Sequence, residues 1–148
     1  MKTKKIIAVI LVILALIAMN SVYAQTLSVK AKVLLDGKQI TNEKVKITVI
    51  NLDTLSEFKN QSFETNKPFN YQFKNDNEYL IVFQKNGYQS KSILIRTNIN
   101  SSEKFLYTFN VNLSSKNIIP NTVEYAGGIY YNEHKKEFDY YLTSNIKN

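Results

Sequence analysis

No cysteine occurs in the chain, so disulfide bridges and thiolate metal sites are excluded. His134 is the only histidine, which leaves too few nitrogen ligands for a transition-metal centre of the usual composition. It stands in Asn132-Glu133-His134-Lys135-Lys136, which reads as a solvated turn. No serine sits in a Gly-x-Ser-x-Gly elbow, and four glycines are too few for a phosphate-cradling loop. Gly127-Gly128 reads as a flexible joint. Only two prolines occur, Pro68 at a strand start and Pro120 in a loop, where a missing N–H costs little. Arg96 is the sole arginine, and no Lys/Arg run follows the first few residues, so nothing suggests a nucleic-acid partner. One long apolar run exists, Ile6–Met19.

That run follows Lys2, Lys4 and Lys5 and precedes Val22-Tyr23-Ala24. A basic start, a short apolar stretch and small residues at the end form a secretory signal peptide, with cleavage expected between Ala24 and Gln25. A spanning helix needs about 20 apolar residues, more than the run supplies. Membrane contact is therefore expected only through an uncleaved leader. No Cys follows to take a lipid. Losing residues 1–24 takes the basic count from 19 to 16 against 12 acids, a net charge of +4. The expected location is outside the cytoplasm: periplasm, cell surface or extracellular space.

What remains is patterned as strands. Leu27–Leu35 alternates Leu27, Val29, Ala31, Val33 and Leu35 against Ser28, Lys30 and Lys32, and Asp36-Gly37 stops it. Val45–Leu52 alternates again, Thr54–Phe58 is a weaker strand, and Phe69–Phe73 has period two. Tyr79–Phe83 is apolar on both alternating faces, as in a central strand. Between it and Ile93–Ile95 lie Asn86-Gly87 and Tyr88, the signal of a tight hairpin whose two turn residues both take positive φ. Phe105–Leu113, Val123–Tyr131 and Glu137–Leu142 follow. No stretch of ten residues past the leader has a helical period. The expected fold is all-β, a small antiparallel sandwich of the prealbumin-like or Ig-like kind behind a signal-peptide helix. The expected division is a leader at 1–24, a sandwich at 25–121 and an aromatic C-terminal hairpin at 122–148 joined to the same domain.

Three runs carry a family resemblance: Val33-Leu34-Leu35-Asp36-Gly37-Lys38-Gln39-Ile40, Val45-Lys46-Ile47-Thr48-Val49, and Tyr79–Phe83 continued by Gln84-Lys85-Asn86-Gly87-Tyr88. The last is similar to a "strand, Lys, any residue, Gly, Tyr, strand" signature, which Ser92–Thr97 extends. Over residues 27–97 the chain resembles the carboxypeptidase-regulatory-like (prealbumin-like) β-sandwich domain of exported Gram-negative envelope proteins. One departure is Thr65-Asn66-Lys67-Pro68, where the family carries an Asp-x-x-Gly turn. The resemblance implies a module that binds, spaces or stabilises, with no catalytic residues and no cofactor.

Asp36, Asp53, Asp76 and Glu78 fall in turns or at strand ends, so no carboxylate pair for hydrolysis is suggested. The chain is therefore expected not to be an enzyme, with no metal. Asn60, Asn100 and Asn112 head N-glycosylation tripeptides, unsurprising in an Asn-rich chain, and Asp53-Thr54-Leu55 resembles a short O-glycosylation motif. Tyr125, Tyr130, Tyr131, Phe138, Tyr140 and Tyr141 crowd the C-terminus. Such rings either cover a sheet or offer a partly wettable contact surface. The expected role is structural or protein-binding in the cell envelope, with an envelope protein or glycan as partner. The alternative is a carbohydrate- or peptide-binding domain that uses the tyrosine cluster.

Overall fold

The computed structural model describes residues 26–53, 61–99 and 103–142. They form ten strands: β1 (Thr26–Leu35), β2 (Lys38–Gln39), β3 (Val45–Asn51), β4 (Gln61–Thr65), β5 (Phe69–Lys74), β6 (Glu78–Gln84), β7 (Ser90–Arg96), β8 (Phe105–Leu113), β9 (Val123–Asn132) and β10 (Glu137–Leu142). In one sheet β1 is central, with β8 along one edge and β5 and then β2 along the other. The second sheet runs β10-β9-β7-β6-β3-β4. The expected all-β sandwich is the fold. The leader, the weak strand at 54–58 and the Asn60 and Asn100 tripeptides lie outside the described residues.

Alternation along the strands decides which face meets the core. Leu27, Val29, Ala31, Val33 and Leu35 of β1 are all buried, against Val45, Ile47 and Val49 of β3 and Tyr79, Ile81 and Phe83 of β6. Phe69 and Phe73 of β5, Ile93 and Ile95 of β7, Val111 and Leu113 of β8, and Ile129 and Phe138 complete that core. The opposite side of β6 is only partly covered: Val82 is buried, whereas Leu80 is half-exposed.

Two pairings are parallel, β1 with β8 and β7 with β9, and the rest antiparallel. The cause is the route of the chain. After β7 it crosses to the other sheet as β8 and returns as β9, and such a crossover brings a strand back in the same direction.

The β6–β7 hairpin forms, with Tyr79 opposite Ile95 and Ile81 opposite Ile93, but its turn differs from the expected one. Gly87 has φ 80° while Asn86 keeps a negative φ, and Tyr88 N–H donates to Lys85 O over 3.1 Å. That is the pattern of a type II turn inside a five-residue connection. Gln89 makes the connection long. Its N–H donates to Ser114 O, its Nε2 to Thr122 O, and its Oε1 accepts from Ile119 N. The tight turn with two positive φ values occurs instead at Asp36 (48°) and Gly37 (79°), joining β1 to β2.

Candidate functional site

The C-terminal aromatics are placed by a β-bulge. Along β7 and β9 the register runs Ser92 opposite Tyr125 and then Ile93 opposite Gly127, so Ala126 is an extra residue. A bulge shifts the phase of alternation. Tyr125 and Tyr130 are five positions apart, and simple alternation would send them to opposite faces. The bulge brings both to the outer face of the six-stranded sheet. There one row of register partners crosses five strands as Ile50, Leu80, Leu94, Gly128 and Tyr141.

Gly128 is the seat of the site. A Cβ there would stand 2.5 Å from the ring and hydroxyl of Tyr141, so only glycine lets that ring lie down on the sheet. Gly127, at φ 146°, has no more room: a Cβ would collide with the backbone oxygen of Tyr141 and crowd the Tyr140 ring. The pair is clamped under β10, which corrects the expectation of a flexible joint.

On this seat the Tyr125 and Tyr141 hydroxyls are hydrogen-bonded at 2.7 Å, and the rings of Tyr130 and Tyr141 lie 5.6 Å apart, tilted by 55°. Burial, then the hydrogen bond to Tyr141, push the Tyr125 phenol far above its ordinary value of 10.0. Arg96 stands on the neighbouring strand with its Nε 2.8 Å from Glu78 Oε1. Arg96, Asn98, Tyr130, Tyr131 and Tyr141 line an open groove of about 460 Å³. Its floor offers aromatic surface, and its rim offers a guanidinium, an amide and phenol hydroxyls. Such a mixture binds a molecule with one apolar face and polar edges.

The six expected aromatics therefore divide. Tyr125, Tyr130 and Tyr141 share the outer face. Tyr131 touches the groove but packs its ring on Phe105 and Phe138, at 5.4 and 5.6 Å. Phe138 is buried in the core, and Tyr140 turns inward with its hydroxyl donating to Ala126 O. These last two are corrected from binding candidates to packing residues. Ring type alone does not separate the roles, because a cluster of aromatics on two strands does not say which face of each strand is inner. Arg96, Asn98 and Gly128 were missed as site residues. The signal for Gly128 was a glycine pair inside a run of strand formers, which marks a bulge or a close approach.

Elsewhere two of the three expected turn residues, Asn86 and Gly87, are exposed. Asn86 and Gly87 sit at the open end of the β6–β7 hairpin, beside a cavity of about 420 Å³ lined by Lys44, Lys46, Glu64, Gln84, Lys85 and Ser90. Tyr88 is half-buried against the core. His134 is exposed in the β9–β10 turn, where its N–H and that of Lys135 donate to Asn132 Oδ1. Asn112 is exposed too, and its side-chain oxygen accepts from Gly37 N at 2.8 Å. Among the described residues no three His, Asp or Glu side chains gather as a metal would need.

No family model matches the chain, and no curated protein does. Among solved structures it is similar to catechol 1,2-dioxygenase of Acinetobacter radioresistens, at 11% identity and a TM-score of 0.44 over 70% of this chain and 58% of that one. Two single-residue variants of the same enzyme match at 12% identity and a TM-score of 0.41, with the same coverage. This chain thus spans under two-thirds of their length, and the likeness is one of fold alone. It does correct one expectation. The expectation that the chain is not an enzyme meets a contrary finding here, since these neighbours are enzymes, and nothing of their activity carries over to this chain.

Proposed function

We propose that the protein is an exported β-sandwich module of the cell envelope that takes a glycan in the tyrosine groove. The observation that carries this is the seating of Tyr141 on Gly128, which holds Tyr130 and Tyr141 side by side next to Arg96 and Asn98. A pyranose has an apolar face that stacks on phenol rings and equatorial hydroxyls that reach a guanidinium or an amide. Export is supported by the leader pattern of residues 2–24. The resemblance of Val33–Ile40 and Tyr79–Tyr88 to carboxypeptidase-regulatory-like domains supports a binding or spacing role.

The second reading is a structural or protein-binding role, with an extended peptide in the same groove. The half-exposed Leu80, Leu94 and Ile50 favour it, since they prolong the groove as an apolar strip across the sheet. A glycan array run beside a pull-down from envelope extract separates the two. Binding of a defined saccharide that is lost in Tyr130→Ala, with melting unchanged, is the expected result. Capture of a protein with the array blank would give the site to a peptide. Ligand binding that survives Tyr130→Ala would remove the groove from either role.

A further inference from the structure

Each sheet of the sandwich ends in strands whose outer backbone groups face away from it, and such edges invite pairing unless charge, proline or a bulge blocks them. Among the described residues five strands lie at sheet edges, and four of them are blocked by charge. β2 carries Lys38, β5 carries Lys74, β4 carries Glu64, and β10 carries Glu137 and Asp139. β8 is the exception. Phe-Leu-Tyr-Thr-Phe-Asn-Val-Asn-Leu, residues 105–113, holds no charge, no proline and no glycine. Among the described residues it pairs only with β1. Leu106 on its outer face is 69% exposed, more than the other exposed large hydrophobics, and the rings of Phe105, Tyr107 and Phe109 are only half-covered on its inner face.

We propose that β8 pairs antiparallel with β8 of a second copy of this chain, about a two-fold axis through Phe109. The choice of a second copy rests on charge and on pattern. Past residue 24 the chain still carries a net +4, so two copies repel over most of their surfaces, and an uncharged strand is where they approach at least cost. A two-fold axis needs a self-complementary strand. About Phe109, Phe105 meets Leu113, Tyr107 meets Val111 and Phe109 meets itself on the core side. On the outer side Leu106 meets Asn112, and Thr108 meets Asn110. Every core-side pair is apolar, and the two cores become continuous through the joined sheet. The surface is distinct from the tyrosine groove, which lies on the outer face of the other sheet.

Sedimentation velocity on the purified chain tests this, with Thr108→Lys/Asn110→Lys and Thr108→Lys/Asn110→Glu beside it. Both positions are exposed, so the variants keep the fold, and circular dichroism melting checks that they do. The expected result is a dimer for the natural chain. In the lysine pair like charges face each other across the joint, and a monomer is expected; in the lysine–glutamate pair opposite charges face, and the dimer returns. A natural chain that is monomeric at every concentration overturns the proposal, as does a lysine pair that stays dimeric. A monomer that takes up an extended peptide on β8 also overturns it, and gives the edge to a foreign strand.

Discussion

Gly87 and the Gly127-Gly128 pair use the same residue for opposite reasons. Around Gly87 there is open space: its chain neighbours aside, no atom of the described residues lies within 4 Å of where a Cβ would stand, and only its φ of 80° calls for glycine. Under β10 the space is already taken, by the backbone of Tyr141 for Gly127 and by the Tyr141 ring for Gly128. One site needs glycine for the shape of the main chain alone and the other first for the volume of a neighbour, to which Gly127 adds its own φ of 146°. The first closes a hairpin at the exposed end of the sheet. The second builds the floor of the candidate site, so function there is coupled to packing.

Substitution separates the two causes. Gly127→Ala is expected to have the largest effect, because the added carbon meets backbone that cannot swing aside. Overpacking and an unfavourable φ together cost about 3–5 kcal/mol, to be read as a fall in the urea midpoint. Gly128→Ala costs less, since the Tyr141 ring can rotate away, but it opens the Tyr125–Tyr141 hydrogen bond and the groove with it. Truncating the ring as well, in Gly128→Ala/Tyr141→Ala, recovers part of that stability. Absence of any recovery would show that the ring does not occupy the seat.

Gly87→Val comes next, at about 1–3 kcal/mol for a β-branched residue held at positive φ. Gly87→Asn loses less, because asparagine tolerates that region. Equal losses for valine and asparagine, measured by thermal unfolding, would mean that space and not φ sets the requirement, erasing the contrast with Gly128.

The smallest effects come from pH. Burial raises the phenols of Tyr71, Tyr79, Tyr107 and Tyr140 above 10.0 and does the same, most strongly, at Tyr125. A raised value in the folded state favours the neutral phenol there. Its stabilisation is therefore complete below about pH 10 and is lost as pH rises toward the folded values. At the acid end, hydrogen bonds from Ser115 hold Asp36 below 3.8, and the hydrogen bond from Lys135 does so for Asp139. Their contribution is lost as pH falls below that range. Melting temperatures should be flat between these limits. Absorbance near 295 nm should show Tyr125 ionising last, and Tyr141→Phe, which removes its partner, should bring it earlier.

Much of the fold was legible because burial has period two in a strand. The five apolar positions of β1 and the Val45, Ile47, Val49 row could be read directly, and all are buried. β4 escaped notice because Phe63 is the only large apolar residue in Gln61–Thr65. The parallel pairings were illegible in kind, since alternation says which face a side chain takes and nothing of which distant strand lies beside it. The turn at Asn86-Gly87 was misjudged because its geometry is set by Gln89 reaching a loop thirty residues on. At the site the tyrosines were visible as a cluster, but a single bulged residue, Ala126, decides which of them share a face.

The parallel joining of β1 to β8 also sets an order of events in time. β1 is the first strand of the sandwich and the spine of its sheet, yet Leu27 finds its β8 neighbour only at Phe105. Closing so large a loop comes before any reward from the contacts it makes, and topologies of this kind fold slowly. The β6–β7 hairpin can form early by itself; β1 cannot be enclosed on both edges until β8 has been made. A chain emerging from its N-terminus thus passes most of its length before β1 can be paired along both edges.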